Sequence, residues 1–392
     1  MHREVVESIE KSAAVEPVHH LTYGLGPKGS PRLRLALASY LNRSFQPREA
    51  VQHEDILVLP GVTSVIDNLT WSICNEGQGI LIPQPFYSNF FVDIATRARA
   101  VIIPALFQSL EGYKGFDDIF DPNMNRKAFE EALQGAEEKG IRIRAPVETI
   151  KEIASFCGRH GLHLISDEIY AKSVFVNPRA PSPVPFTSVL ALDLTDRIDS
   201  HLVHVAYGAS KDFCANGLRL GMLHTRNQGL LAVIAGTSML AWPPYIIQDV
   251  WAKMLEDENY TNRFLETNQR LMAIQYASAT RFLDDHGIAY YTNSNAGMFI
   301  WMDLRKYLRG TKKIETLSLH QLTPQEKEEF QRREVEMGNR FFANRVGVAL
   351  GTNFFTEELG WFRLTFTVCQ DALDIGLQRM VQTLQEIEQL GW

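Results

Sequence analysis

No stretch of the 392 residues approaches the run of about 20 apolar side chains that a bilayer span requires. The N-terminus, Met1 to Ser8, is charged from its second residue and has no apolar h-region, so no secretory signal is expected there. A basic excess is also missing. The formal net charge is -7, which argues against a protein held to nucleic acid by phosphate contacts, because such proteins need a basic face. Anionic small molecules stay open, since local arginines capture those. Cysteine is scarce: Cys74, Cys157, Cys214 and Cys369 lie far apart without metal-ligand spacing, and read as free thiols in a reducing compartment. Together these absences lead to an expectation of a cytoplasmic protein. His19-His20, and His160 with His163, show no partner set for zinc, so no metal is expected. Internal repeats and low-complexity tracts are absent too.

What is present is an ordinary enzyme-like balance, 45% hydrophobic and 22% charged, in a chain long enough for two or three domains. From about residue 50 to 225, short apolar runs alternate with helical stretches. Ile56 to Leu59, Gly79 to Pro83, Val101 to Pro104, Ile141 to Ala145, Leu162 to Ser166 and Leu202 to Tyr207 read as buried strands. Val62 to Cys74, Phe129 to Lys139 and Val147 to His160 read as amphipathic helices. That alternation predicts an α/β domain with a mostly parallel sheet covered by helices on both faces. Beyond about residue 245 come long helices (Ile246 to Leu283), strands at Ala289 to Tyr291 and Met298 to Asp303, a charged helix from Pro324 to Asn344, and the strand Trp361 to Thr367 before a terminal helix. The expected division is an N-terminal segment (1–45) packing with the small domain and a dimer partner, a large domain (46–250) and a small α+β domain (251–392). Pro178 to Pro185 reads as a surface loop.

Ligands of open α/β sheets bind outside the C-terminal strand ends, and two chemistry-bearing runs fall there. Ser166-Asp167-Glu168-Ile169-Tyr170 follows one predicted strand. Tyr207-Gly-Ala-Ser-Lys211-Asp-Phe-Cys-Ala-Asn-Gly-Leu-Arg219-Leu-Gly221 follows another, with its arginine bracketed by Gly217 and Gly221. A lysine can form a Schiff base with pyridoxal phosphate, and a nearby arginine can grip two phosphate oxygens in a fork. Pro60-Gly61-Val62-Thr63-Ser64 lies between a strand and a helix, where backbone N–H groups face an anion.

On these runs the chain resembles the fold-type I pyridoxal-phosphate enzymes, and within them the aminotransferase class I/II group that contains the 1-aminocyclopropane-1-carboxylate synthase-like proteins. The resemblance covers residue 20 to the C-terminus. It implies pyridoxal 5′-phosphate as cofactor, with Lys211 as the Schiff-base lysine and the shuttle for the Cα proton. Asp167 then pairs with the pyridine nitrogen, although an aspartate at that place also serves as a helix N-cap, and Tyr170 hydrogen-bonds the 3′ oxygen. Phosphate contacts are implied for Ser210, Arg219 and the backbone at Val62 and Thr63. Tyr87, or Phe86 beside it, stacks on the ring. Tyr23 reaches the phosphate of a neighbouring subunit, which makes the active unit a homodimer with shared sites. Arg363, in the apolar run Gly360-Trp-Phe-Arg363-Leu-Thr-Phe, binds the α-carboxylate of an amino-acid substrate. A buried arginine there needs an anionic partner.

The sequence departs from that pattern in three places. Gly208 stands where the family often has a serine. An Asn-Pro-x-Asn-Pro-x-Gly-like motif, whose asparagine donates to the 3′ oxygen, is missing, and Ile141 to Ala145 runs directly into Pro146, which is expected to open the next helix. The chain also begins after the family's upstream segment that lines the substrate pocket. Aminotransferase is the expected class, with a role in secondary metabolism open. The alternatives are a lyase, through α,γ-elimination to the aminocyclopropane or β-elimination of a C–S bond, and an inactive paralogue acting as a binding partner.

Overall fold

A computed structural model describes residues 1–12, 15–137, 143–144, 150–180, 184–310 and 317–389. They form two compact units. The first comprises Met1–Pro83, Asn89–Lys172 and Phe186–Asn268, and the second Gln84–Ser88, Ser173–Pro185 and Gln269–Trp392. Residues 1–45 fall within the first unit.

The first unit carries strands β1 (Ile56–Leu59), β2 (Gly79–Pro83), β3 (Val101–Ala105), β4 (Ile143–Arg144), β5 (Leu164–Asp167), β6 (Val203–Gly208) and β7 (Gly221–Thr225). They are hydrogen-bonded in the orders β1-β7-β6-β5 and β3-β2-β4. The pairs β5–β6, β2–β3 and β2–β4 are parallel, whereas β7 is antiparallel to both β1 and β6. The architecture is α/β with a mixed sheet. Helices Pro31–Ser44 and Val62–Ile73 pack on β1, Pro122–Glu137 on β2 and β3, and Ile150–His160 on β5. Every residue of β1 and β7 is buried, as expected of strands covered on both faces.

β7 has no counterpart in the sequence reading. Gly-Met-Leu-His-Thr is short, opens on glycine and lacks the β-branched enrichment that marks a strand, and it becomes one by filling the space between β1 and β6. Of the expected strand Ile141 to Ala145, Ile143–Arg144 lies among the described residues. Pro146, Val147 and the end of the preceding helix at Lys139 lie outside them, as do Pro181 and Pro183 of the proline-rich loop.

The second unit holds β8 (Ala289–Tyr290), β9 (Phe299–Asp303), β10 (Val348–Leu350) and β11 (Trp361–Thr365), ordered β10-β11-β9-β8 and antiparallel throughout. The helix Pro324–Ala343 opens with a reciprocal cap: Thr323 Oγ1 accepts the Glu326 N–H at 3.3 Å, and Glu326 accepts the Thr323 N–H at 2.9 Å. The long helices expected from Ile246 to Leu283 are two, Tyr245–Glu256 and Glu258–Asp285. Asp257 leaves helical geometry between them (ψ 89°) and its carboxylate accepts the Tyr260 N–H at 2.9 Å. An aspartate that caps the following helix ends the one before it. Each unit has its own apolar core, with Tyr40, Phe213 and Trp251 at 0% exposure in the first and Phe330, Phe341 and Phe362 in the second. Among the described residues no helix is long and apolar enough to cross a membrane.

Candidate functional site

Two adjacent parallel strands deliver the first unit's chemistry to one sheet edge. Asp167 ends β5 opposite Ala206 of β6, and its Oδ1 accepts the Ile169 N–H at 3.2 Å, a side-chain-closed turn that redirects the chain. β6 runs out at Gly208, and Lys211 follows in a turn closed by the Cys214 N–H on the Lys211 carbonyl at 3.0 Å. Tyr170 and Lys211 meet there, the Lys211 Nζ lying 5.6 Å from the Tyr170 ring centroid.

Beneath this edge lies a polar network that sequence reasoning left unassigned. Asp212, fully buried, accepts the Tyr207 hydroxyl at 3.0 Å and the Lys172 N–H at 2.9 Å. Tyr207 also meets the Tyr40 hydroxyl at 3.3 Å. Burial and then the Asp212 charge raise the Tyr207 pKa well above its usual value, so this phenol keeps its proton and donates. Burial lowers the Lys172 pKa, while Asp212 and Glu168 oppose that shift. The network pins the residues on both sides of Lys211 to the core. It was legible in the sequence only as polar residues among apolar neighbours.

Glu168 fastens the other corner. It is 5% exposed and accepts from Ser188 Oγ at 2.7 Å, the Val189 N–H at 2.8 Å and Ser166 Oγ at 3.0 Å. Burial raises its pKa to about 7 against those three hydrogen bonds. The folded protein therefore keeps this proton up to about pH 7, whereas the unfolded chain releases it near the ordinary 4.5. Between those values the unfolded state binds fewer protons, so stability falls as pH rises. Urea unfolding of the parent and of Glu168→Gln at pH 4.5 and 7.5 is expected to show the parent losing on the order of 3 kcal/mol more than the variant across that window. Equal slopes would contradict it.

The helix Val62–Ile73 begins at Gly61, whose φ of +85° is in the region glycine alone enters without strain. Two glycines, Gly208 and Gly221, bring the backbone together here. A Cβ at Gly221 would lie 2.5 Å from the Gly61 carbonyl carbon and 2.8 Å from the Val62 nitrogen, and one at Gly208 would lie 2.7 Å from the Leu220 oxygen. A serine at 208 is thus excluded by contact in this backbone. Arg219 closes the cradle. Its Nη2 would be 2.6 Å from a Cβ at Gly61, and its guanidinium meets the Asn216 and Pro60 carbonyls at 3.1 and 3.4 Å. Among the described residues no carboxylate pairs with this exposed arginine. A helix N-terminus, an arginine without a carboxylate partner and a side-chain-free approach fit a phosphate monoester. The Thr63 hydroxyl hydrogen-bonds Asp93, and the Val62 and Thr63 N–H groups belong to the first turn of the helix, where they have no intrahelical acceptor. Ser210 is half-buried in the turn before Lys211.

Tyr23 is 82% exposed, with its ring edge-on to Trp242 at 6.2 Å. Tyr87 and Arg363 belong to the second unit. Phe86 is buried and stacked on Phe355 at 4.5 Å, whereas Tyr87 is 46% exposed. Of the two competing aromatics, Phe86 is the packing residue and Tyr87 the accessible one. Arg363 lies in β11 opposite Trp301 and Ala349. His19 and His20 do gain a shared partner, which corrects the sequence expectation: the Nε2 of each lies 3.3 Å from Asp249 Oδ2. His20 Nδ1 accepts the Glu16 N–H at 2.9 Å, so the neutral ring carries its proton on Nε2 and gives it to Asp249. That arrangement fastens the N-terminal segment, and it brings one ligand atom from each of His19, His20 and Asp249 within 4.8 Å of one another, a group that could hold a metal ion. His163, likewise, meets His204 at 2.7 Å.

The family model for aminotransferase class I and II matches residues 4–380. Among curated proteins, 1-aminocyclopropane-1-carboxylate synthase 2 of Cucurbita pepo is 28% identical over 378 residues, spanning 92% of this chain and 69% of that protein. The probable inactive 1-aminocyclopropane-1-carboxylate synthase-like protein 2 of Mus musculus is 28% identical over 374 residues, spanning 92% of this chain and 60% of its own length. Among solved structures, a Thermus thermophilus aspartate aminotransferase tetra mutant superposes with a TM-score of 0.72 at 19% identity, covering 97% of this chain and 92% of that one.

Proposed function

The chain belongs to the aminotransferase class I and II family, a family dependent on pyridoxal phosphate, and from that premise we propose that it holds this cofactor through Lys211 and transfers the amino group of an α-amino acid. The observation that carries the reading is the meeting of Lys211 with Tyr170 at the sheet edge where Asp167 ends β5, beside a glycine-lined helix N-terminus with Arg219. When bound, pyridoxal phosphate supplies an electron sink for the charge left on a substrate Cα. Once the incoming amino group has displaced it from the cofactor, the Lys211 amine would take the Cα proton as general base and return it as general acid. Asp167 holds a proton at the ring nitrogen by a charge-assisted hydrogen bond, and Tyr170 donates to the 3′ oxygen. Arg219, Ser210 and the N–H groups of Val62 and Thr63 bind the phosphate, Tyr87 stacks on the ring, and Arg363 binds the substrate carboxylate. Tyr23 serves the site of a second copy. Leu21 and Leu25 are, like it, more than 70% exposed, and an apolar segment of that kind suits a homodimer interface.

A second reading, elimination rather than transfer, is favoured by the names of the curated relatives, several of them 1-aminocyclopropane-1-carboxylate synthases. The third, a non-catalytic paralogue, draws on the murine relative named as probably inactive. Incubating the purified chain and cofactor with an amino-acid panel and 2-oxoglutarate separates them. New glutamate supports transfer. Ammonia, a thiol or an aminocyclopropane without glutamate points to elimination. No product, with no visible absorbance from bound cofactor, overturns the enzyme reading.

A further inference from the structure

Arg363 is held by aromatic faces. Its Cζ lies 3.9 Å from the ring centroid of Phe299 in β9 and 4.2 Å from that of Phe354 in the single-turn helix Gly351–Phe354. Both rings therefore lie directly against the guanidinium. A guanidinium is planar and weakly hydrated, and it stacks on aromatic faces while its edge keeps the N–H fork. Phe354 is itself fixed. It is 8% exposed, and the Trp301 ring meets it edge-on at 5.7 Å. Its carbonyl accepts the Phe86 N–H at 3.0 Å, and the next residue, Phe355, stacks on Phe86. Phe355 adopts φ +57°, a left-handed conformation that a bulky residue holds only when its surroundings over-determine it. One short segment thus clasps Arg363 with a ring and holds the Gln84–Ser88 segment, which bears Tyr87, with its backbone.

We propose that Phe354 and Phe299 are positioning residues that clamp the Arg363 guanidinium by its faces and present its edge to a carboxylate. The proposal rests on the reading of Arg363 as the substrate-carboxylate residue. Covering the faces removes water from around the charge and fixes the plane of the fork, so both rings strengthen and orient its hold on an anion.

The test uses the full chain with pyridoxal phosphate and compares calorimetric affinities for 2-aminoisobutyrate and isopropylamine, which differ by the carboxylate. The parent is expected to prefer the acid. Arg363→Leu abolishes that preference, Phe354→Leu and Phe299→Leu each reduce it about tenfold with isopropylamine unchanged, and Phe354→Tyr restores it. If Phe354→Leu unfolds, the half-buried Phe299→Leu tests the clamp in its place. Preference lost in Arg363→Leu but retained in both leucine variants overturns the clamp alone. Preference retained in Arg363→Leu overturns the carboxylate reading beneath it.

Discussion

Lys211→Ala is expected to fold and to lose turnover by at least about a thousandfold, together with any visible absorbance that the parent shows with pyridoxal phosphate. Folding should survive because the surrounding turn is built from groups the substitution keeps. The Cys214 N–H bonds the Lys211 carbonyl, and the neighbouring Asp212 is held by Tyr207 and the Lys172 backbone. What leaves is the amine beside Tyr170. The nearby Lys172 gives its ammonium to the Ser44 carbonyl and lies over the Phe45 ring. A Lys211→Ala protein with parental absorbance and turnover would remove the basis of the functional reading.

Gly221→Ala is expected to cost about 3 kcal/mol of stability and to weaken cofactor binding more than tenfold, read by denaturant unfolding and by titration of pyridoxal phosphate. The added methyl would sit 2.5 Å from the Gly61 carbonyl carbon and 2.8 Å from the Val62 nitrogen. Backbone cannot yield as a flexible side chain can, so the strand and the helix N-terminus must part. That moves the Val62 and Thr63 N–H groups away from Arg219. Gly217→Ala is the control. It lies in the same run, and a Cβ there would meet nothing within 4 Å. Equal losses in the two variants would show that the cradle is not set by the glycine contact.

How far the sequence reached depends on the range of the interaction. The positions of Asp167 at the end of β5 and of Lys211 just past β6 were readable because a short apolar run marks each strand, and the structure puts Lys211 against Tyr170. β7 was not readable. Its residues have no strand pattern of their own, and they are extended because β1 and β6 flank them. The same holds for Gly208. In the sequence it is a glycine where the family often has a serine, while the structure makes it, with Gly221, one of two residues at this cradle whose Cβ would meet backbone. Packing, too, distinguishes Tyr87 from its competitor Phe86: Phe86 is buried against Phe355, and Tyr87 is left accessible.

By itself the sequence determined the chemical vocabulary of this protein: an amine after one strand, a carboxylate after another, arginines placed for anions, and the alternation that makes an α/β sheet. Those follow from residue type and local spacing, which the chain carries in any conformation. Tertiary structure alone decided which groups stand together. Tyr40 with Tyr207, Asp212 with Lys172, Glu168 with Ser188, Gly61 with Gly221, His19 and His20 with Asp249, and Arg363 with Phe299 are contacts between residues well apart in the chain. Each depends on how buried surfaces fit, and that fit is a property of the packed chain rather than of any segment within it.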